Sequence, residues 1–374
     1  GIEGIVLFNV LCGLFTIGML LRHGTKENTT TLGVFALSLT PYFISLHISG
    51  LTEPLFALLL LMSVLMLSDK RYIGAGLLTG ALLMVRTEGV LFIGMAMATF
   101  MAIRKYGAIF WLFVPLILVS LAGGLVKQGN FFWFFTELPY DVQSAYASGS
   151  IWHFLRKADL IFGYPLLVLG SWGMFTVLRT PTYDLVSKVT LVGYPLAYFV
   201  FHSVLFGFGL GASAGLTRVM LVIMPLLALN MGIGLTDLFN RLGKKKEILA
   251  GMVVLAVFTG FFTSSRMPVS RTANQKLVKE LSEEFADMDE GVIYYFHPGV
   301  AVYTGCDPFA REHCISGYPD VASLGDYLVW DSHFGPQEGA TPLNTILEDD
   351  TWQKVKEYSA QDELFILFRK VKAQ

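Results

Sequence analysis

The sequence predicts a polytopic α-helical membrane protein that carries a small soluble α/β domain at its C-terminal end. Hydrophobic residues make up 54% of the 374 residues and charged residues only 15%, whereas soluble domains carry about 25% charged residues. Apolar runs recur along residues 1–263 and stop there. The charge balance changes at the same point, from 17 Lys and Arg against 11 Asp and Glu in residues 1–263 to 10 against 18 in residues 264–374. No basic stripe of the kind that binds nucleic acid is present.

The apolar runs have lengths close to the roughly 20 residues that span a bilayer core. They predict about ten transmembrane helices, at residues 4–21, 31–49, 52–68, 72–86, 89–103, 107–126, 159–178, 189–208, 217–239 and 247–263. Several runs are short for a straight crossing, so re-entrant or merged helices stay open as an alternative for one or two of them.

The distribution of cations predicts the orientation, because cytoplasmic loops carry an excess of Lys and Arg. With residue 1 outside, the inner loops hold twelve Lys and Arg and the outer loops of the membrane domain hold five. An even number of crossings then places the acidic tail outside as well. Because the chain begins at Gly1 outside, we expect either a cleaved signal peptide or an earlier helix on a preceding segment or a separate chain.

The longest loop of the membrane domain, residues 127–158, is rich in aromatic residues. They are Phe131, Phe132, Trp133, Phe134, Phe135, Tyr140, Tyr146, Trp152 and Phe154. Aromatic side chains concentrate at membrane interfaces, so the loop is predicted to lie on the outer leaflet. A flap over a cavity open to lipid and water is the alternative.

Residues 264–374 predict the soluble α/β domain. An amphipathic helix is expected over residues 273–288, β-strands over 291–296, 326–330 and 363–370, and a further helix near 351–358. Cys306 and Cys314 either form a disulfide, if this domain faces an oxidising compartment, or remain free thiols, whereas Cys12 is predicted to be a core residue.

Polar side chains of the tail that suggest a site are His297, Asp307, His313, Asp331, His333 and Glu338. Their spacing matches no standard zinc motif. Gly335, Pro336 and Gly339 favour a structural turn at residues 330–339, and a sugar or acceptor contact and a metal site stay open. His297 follows a predicted strand directly, at the kind of strand end where open α/β sheets bind ligands.

Ionisable residues collect at the outer ends of the predicted spans. They are Glu3, His47, Glu53, Arg86, Glu88, His202 and Arg218. Ionisable groups in a membrane are costly and mark functional sites, and the planar guanidinium group of Arg suits phosphate oxygens. The cluster therefore predicts a site for an anionic, lipid-borne substrate, with ion pairs that merely fix helix ends as the alternative.

Residues 51–93 resemble the core of GT-C type integral-membrane glycosyltransferases, which include protein O-mannosyltransferases and the lipid A aminoarabinose transferase. The resemblance rests on Pro41, Glu53, the basic turn Lys70–Arg71 and the Arg-led motif at residues 86–89. Residues 211–229 resemble a late segment of the same family, in which an Arg precedes an apolar span that contains Pro. The family's large first outer loop, which carries an acidic catalytic base, has no counterpart in this sequence.

The resemblance implies transfer of a sugar from a polyprenyl-phosphate carrier to a hydroxyl of an acceptor protein or glycolipid, with inversion. In this chain it implies that Arg86 and Arg218 bind the phosphate. Glu53 is the candidate for a second acidic site residue, which acts as ligand of a divalent cation or as base. His47, Glu88 and His202 are additional candidates, and no set of metal ligands is assigned. The site would face the periplasm from a bacterial inner membrane, or the ER lumen in a eukaryote.

A second class of function is a non-catalytic GT-C-like subunit that binds a lipid carrier or scaffolds a secreted or membrane assembly. It stays open because the loop with the catalytic base has no counterpart here. A secondary transporter would need polar groups near the bilayer midplane, whereas the ionisable residues of this chain lie at one face.

Overall fold

The computed structural model describes residues 2–24, 28–126, 129–130, 148–210, 215–263, 273–285, 291–306, 313–319, 321–336, 341–360 and 363–372. The chain divides into two compact units, residues Gly1–Pro268 and Val269–Gln374. The first unit is helical and the second is built on a β-sheet.

The described helices of the first unit follow the predicted apolar runs. They are α1 (Ile2–Gly24), α2 (Asn28–Ser38), α3 (Pro41–His47), α4 (Glu53–Ser68), α5 (Tyr72–Val85), α6 (Gly89–Ala102), α7 (Tyr106–Val126), α8 (His153–Arg156), α9 (Ala158–Arg179), α10 (Leu185–Phe208), α11 (Thr217–Leu242) and α12 (Lys246–Thr263). In α10, residues Val189–Gly193 form a π-helical turn, and α11 opens with a 3-10 helix over Thr217–Ile223.

Six described helices are long and apolar enough to span a membrane, namely α1, α7, α9, α10, α11 and α12. The helices α4, α5 and α6 are apolar but shorter. The chain is therefore an integral membrane protein, while ten crossings stay a prediction.

The run predicted over residues 31–49 is broken into two helices, α2 and α3. Thr40 has an extended backbone (φ −71°, ψ 117°), and Pro41 opens α3. Proline cannot continue a helix without loss of a backbone hydrogen bond, and it pushes the preceding residue out of the helical region. Neither α2 nor α3 is long enough to cross a bilayer as a straight helix.

Helix α11 is the central helix of the first unit. In its most apolar 18-residue window, 89% of the residues are buried, as expected for a helix that is hydrophobic on all sides. Neighbouring helices approach it at glycine residues: a Cβ atom on Gly173 of α9 would lie 1.7 Å from the carbonyl oxygen of Asn230. Arg218 therefore stands at the start of the most enclosed helix of the unit.

The second unit contains a five-stranded sheet with the strand order β2-β1-β3-β5-β4. The strands are β1 (Ile293–Tyr295), β2 (Cys314–Ser316), β3 (Tyr327–Asp331), β4 (Trp352–Ala360) and β5 (Glu363–Lys370). Strand β1 pairs in parallel with β2 and β3, whereas β5 pairs antiparallel with β3 and β4. The described helices of this unit are α13 (Ala273–Glu284), α14 (Gly299–Thr304) and α15 (Leu343–Leu347).

Both faces of this sheet are covered. Leu277, Val278 and Leu281 of α13 pack on one face, against alternate residues of β3 and β5. Ile346 of α15 packs on the other face with Leu328 and Trp330. Cys306 and Cys314 are joined in a disulfide.

The helix predicted near residues 351–358 is wrong, because residues Trp352–Ala360 form strand β4. Trp352, Val355 and Tyr358 follow a helical spacing in the sequence. In the structure the segment lies at the sheet edge and pairs with β5 along its length, with an irregularity between Lys354 and Lys356. Pairing with a neighbouring strand overrides a weak local helical pattern, and charged side chains are common on edge strands.

Candidate functional site: an ion-pair cluster at one end of the helical unit

Glu53 is the centre of the candidate site. It opens α4, and Pro54 at the next position has a backbone suited to the first turn of a helix. The residue is 0% exposed. The preceding loop is held by Asn9 of α1, whose side-chain nitrogen donates to the carbonyl oxygens of Ser49 at 2.6 Å and Leu51 at 2.8 Å. Asn9 thus fixes the point at which α4 begins.

Arg86 reaches Glu53 because α4 and α5 form a hairpin. Their lengths of 16 and 14 residues are nearly equal, so the end of α5 returns to the level at which α4 starts. Arg86 Nη1 donates to Glu53 Oε1 at 2.9 Å and to Thr52 Oγ1 at 3.2 Å. Glu53 and Arg86, two of the residues on which the family resemblance rests, therefore form a direct ion pair.

Glu88 holds the other side of the same guanidinium group. Arg86 Nη2 donates to Glu88 Oε1 at 2.8 Å, and Arg86 Nε lies 3.2 Å from Glu88 Oε2. Two parallel hydrogen bonds of this kind orient the plane of the guanidinium group. The Arg86 side chain is 19% exposed, so both carboxylates fix a mostly buried cation.

Arg218 approaches the same oxygen of Glu53 from the start of α11. Its Nε lies 3.2 Å from Glu53 Oε1, an ion pair without hydrogen-bond geometry. The Arg218 side chain is 38% exposed. The neighbouring Thr217 hydroxyl lies 2.5 Å from the Tyr42 hydroxyl of α3. This contact joins the start of α11 to α3. The cluster thus joins residues 165 positions apart.

The structure differs from the site hypothesis in one respect. The hypothesis has both arginines bind phosphate, with ion pairs as the alternative, and in the structure both guanidinium groups form ion pairs with Glu53. A buried carboxylate without a counter-charge is strongly unfavourable, which explains the direct pairs. Glu53 Oε2 is nevertheless buried without a hydrogen-bond partner.

The two histidine candidates lie outside these ion pairs. His202 is 3% exposed, neither of its ring nitrogens has a hydrogen-bond partner, and its ring centre lies 4.5 Å from that of Tyr198. His47 Nδ1 lies 2.8 Å from the Phe43 carbonyl oxygen, and its ring packs against Gly13 of α1. Glu3 is exposed in the first turn of α1. The structure therefore brings together four candidates in ion pairs, Glu53, Arg86, Glu88 and Arg218. The other three, His47, His202 and Glu3, lie outside these ion pairs.

Sequence reasoning missed the residues that position the cluster. Asn9 is 2% exposed and Tyr42 is 4% exposed, and both bond to backbone or side chains of other elements. Asn9 had a usable signal, because a polar side chain within an apolar span is costly unless it is bonded. Thr52 and Thr217 had none, since a threonine at a helix end is ordinary.

Of the polar residues predicted to suggest a site in the second unit, Asp331 is the most buried. Its Oδ1 accepts backbone hydrogen bonds from His333 at 3.0 Å and Phe334 at 2.7 Å. Burial raises the pKa of this carboxyl to about 6. These contacts make the turn that the glycine and proline residues predicted.

The neighbouring His297 packs between Phe334 and Phe365, with ring centres at 5.0 and 5.4 Å. Burial, together with the nearby His333, lowers the pKa of His297 to about 4. His313 is exposed, and Asp307 and Glu338 lie outside the described residues. Among the residues that the structure describes, no three His, Cys, Asp or Glu side chains are grouped so as to hold a metal ion.

The predicted interfacial loop is described only in part. Residues 127–128 and 131–147 lie outside the described residues, and with them seven of the aromatic side chains. Of the remaining two, Trp152 is 58% exposed and Phe154 is fully buried.

No protein-family model matches the chain, and no curated protein matches its sequence. Two solved structures share its fold. The crystal structure of ArnT from Cupriavidus metallidurans in the apo state has a TM-score of 0.65 at 13% identity, over 97% of this chain and 83% of that chain. The structure of the same protein bound to undecaprenyl phosphate has a TM-score of 0.61 at 12% identity, over the same shares. ArnT is a lipid A aminoarabinose transferase of the GT-C fold. The chain therefore has a GT-C-like membrane fold.

Proposed function

We propose that the protein is a membrane glycosyltransferase that moves a sugar from a polyprenyl-phosphate carrier to an acceptor hydroxyl. The single observation that carries this proposal is the convergence of Arg86 and Arg218 on one oxygen of Glu53. The ArnT-like fold supports it, because one ArnT structure holds undecaprenyl phosphate.

The proposed mechanism begins with an exchange of ion-pair partners. A substrate phosphate competes with Glu53 for the guanidinium groups, and the 38% exposed Arg218 is the first to turn to it. Arginine suits this exchange because its fork binds carboxylate and phosphate in the same bidentate manner. The leaving polyprenyl phosphate is then stabilised by both cations while the bond to the anomeric carbon breaks.

In this proposal Glu53 has two tasks. Its Oε1 holds the arginines in place in the unliganded protein, and its unpartnered Oε2 accepts the proton of the acceptor hydroxyl. The second task depends on the first, because the phosphate that draws the arginines away leaves the carboxylate in need of another positive partner, which the hydroxyl proton supplies. Inversion follows if the hydroxyl attacks opposite the phosphate.

The divalent cation that the family resemblance implies fits this donor set poorly. The described residues offer no group of three metal-ligating side chains, and the ion pairs already compensate the charge of Glu53. The mechanism therefore assigns charge compensation to the arginines alone. Transfer that persists after chelation with EDTA supports this assignment, and transfer restored only by an added cation contradicts it.

We further propose that the cluster and the second unit both lie on the outer side of the membrane, periplasmic in a bacterium or luminal in a eukaryote. The proposal rests on the twelve-to-five distribution of cations. A membrane-impermeant thiol reagent applied from outside is expected to label a cysteine introduced at Ser359 but not one at Lys245, both of which are exposed. The opposite labelling would contradict the orientation.

A non-catalytic subunit that binds a lipid carrier is the second candidate. One observation favours it, since Arg86 is held by two carboxylates at once and so resists the exchange that catalysis needs. Purified protein incubated with a polyprenyl-phosphate-linked sugar and acceptor-containing membranes distinguishes the two. An enzyme releases polyprenyl phosphate with time, whereas a binding subunit retains the linked sugar unchanged.

A further inference from the structure

A groove with apolar side chains and nearby arginines lies at the end of the helical unit opposite to the Glu53 cluster. This open groove of about 370 Å³ runs along the surface of the unit, lined by Val168, Leu169, Ser171, Trp172 and Phe175 of α9 and by Leu238 of α11. The Val168 and Phe175 side chains are 59% and 44% exposed. The groove therefore offers apolar side chains to whatever surrounds the helices.

One guanidinium group is fixed at the end of this groove. Asp237 Oδ2 accepts from Trp172 Nε1 at 3.0 Å and from Arg241 Nε at 2.9 Å. The Arg241 guanidinium carbon lies 5.8 Å from the Trp172 ring centre, and its side chain is 59% exposed. Because Asp237 binds only Nε of Arg241, the two terminal nitrogens have no partner among the described residues.

A second guanidinium group belongs to α9, the helix that supplies most of the groove. Arg179 lies 5.3 Å from the ring centre of Phe175, which is itself 5.5 Å from that of Trp172. Arg179 makes no ion pair within the described part of the chain. Stacking on aromatic rings holds both arginines near the groove, and Asp237 pairs with Arg241.

This feature is separate from the Glu53 cluster. Arg218 and Arg241 belong to the same helix and are 23 residues apart, which corresponds to roughly 35 Å along a helix axis. A single headgroup cannot contact both. The carrier phosphate of the proposed reaction therefore does not explain Arg179 and Arg241.

We propose that the groove between α9 and α11 binds an anionic glycerophospholipid. One acyl chain lies along Val168 and Leu169, and the phosphate lies between the terminal nitrogens of Arg179 and Arg241. Basic pockets between transmembrane helices are known to recognise anionic headgroups, and each nearby cation strengthens the attraction. Trp172 marks the level of the headgroup, as interfacial tryptophans do.

Tryptophan fluorescence in lipid nanodiscs tests this site. The full chain is placed in phosphatidylcholine with increasing fractions of brominated phosphatidylglycerol or brominated phosphatidylcholine, and the Trp172→Phe variant gives the signal of the other tryptophans. We expect Trp172 to be quenched by brominated phosphatidylglycerol at about a tenth of the mole fraction needed for brominated phosphatidylcholine. Equal quenching by both lipids would overturn the proposal.

Variants separate this site from a general surface charge. The double variant Arg179→Gln and Arg241→Gln should lose the preference, and Arg179→Lys with Arg241→Lys should keep most of it. The matched control is Arg104→Gln with Lys105→Gln, which removes two exposed cations from another turn at the same end of the unit. If the control abolishes the preference equally, or if a polyprenyl phosphate displaces the brominated lipid more strongly than unlabelled phosphatidylglycerol, the assignment is wrong.

Discussion

Among the residues that the structure describes, each unit of the molecule buries one carboxylate completely, and the two are stabilised in different ways. Glu53 and Asp331 are both 0% exposed. Glu53 is held by cations from residues 33 and 165 positions away, whereas Asp331 is held by backbone N–H groups two and three residues away. The first carboxylate therefore organises tertiary structure, and the second organises only its own turn.

This difference has a physical consequence. The guanidinium groups of Arg86 and Arg218 carry full charges, so Glu53 remains a partner that a competing anion can replace. The backbone dipoles around Asp331 stabilise its ionised form less than burial destabilises it, which is why the pKa of Asp331 rises to about 6. The ion pairs of Glu53 are therefore suited to an exchange of partners, whereas the backbone hydrogen bonds of Asp331 are suited to holding a local turn.

Glu53→Gln is expected to have the largest effect on stability. It leaves two guanidinium groups facing a neutral amide, and removal of one partner from a buried pair costs about 3–5 kcal/mol. Thermal unfolding in detergent measures the loss. Glu88→Gln is the matched control, because Arg86 then keeps Glu53, and its melting temperature should fall less. Equal effects would mean that Glu53 is not the centre of the cluster.

Asp331→Asn should remove a pH dependence of folding from the second unit. Because the pKa in the folded state is about 6 and the usual value is 3.8, the folded state binds the proton more tightly. The contribution of Asp331 to the free energy of unfolding therefore falls as pH rises from about 4 to 6, by up to about 3 kcal/mol. His297, whose pKa is lowered to about 4, contributes in the opposite direction over the same range, so the effect of Asp331 is read from the difference between wild type and variant.

Chemical unfolding of residues 269–374 expressed alone, at a series of pH values, measures this slope in the wild type and in Asp331→Asn. The unit should unfold cooperatively, and the free energy of unfolding of the wild type, relative to that of the variant, should fall as pH rises from about 4 to 6. A wild-type minus variant difference that does not fall between pH 4 and 6 would contradict the assigned cause, and a fragment without a cooperative transition would contradict an independently folded unit.

Replacing both Cys306 and Cys314 by Ser should have the smallest effect, about 2 kcal/mol of unfolding free energy, because the disulfide closes a loop of only eight positions. The same pair tests the orientation of the full chain. Alkylation of cells without reductant should leave both thiols unlabelled if the unit faces an oxidising compartment. Labelling of both would place the unit in a reducing one.

Much of the helical unit could be predicted from the sequence, because spanning apolar runs are a strong signal. The convergence of Glu53, Arg86 and Arg218 followed from placing each at the same end of its helix. The direct ion pairs did not follow, because hydropathy gives the level of a residue in the membrane and not the distance between side chains. Asn9 carries a signal as a polar side chain within an apolar span, but its partners could not be predicted, because they are carbonyl oxygens of distant residues.

The second unit was less predictable. The turn at Asp331 followed from local residues, namely the glycines and proline after it. Strand β4 did not, since the spacing of Trp352, Val355 and Tyr358 favours a helix and only pairing with β5 makes it a strand. Strand β2, three residues long, is too short to leave a periodic pattern. For both β4 and β2, contacts between distant segments decide that the residues form a strand.

The most direct test of the account is the affinity of the purified protein for a polyprenyl phosphate. Arg218→Gln should raise the Kd at least about tenfold, because it removes a charge-assisted contact to phosphate, while the melting temperature stays near that of the wild type. Arg156→Gln, which removes an exposed cation at the same end of the helical unit, should change neither. An unchanged Kd for Arg218→Gln, or an equal loss of affinity in Arg156→Gln, would contradict a phosphate site at the Glu53 cluster.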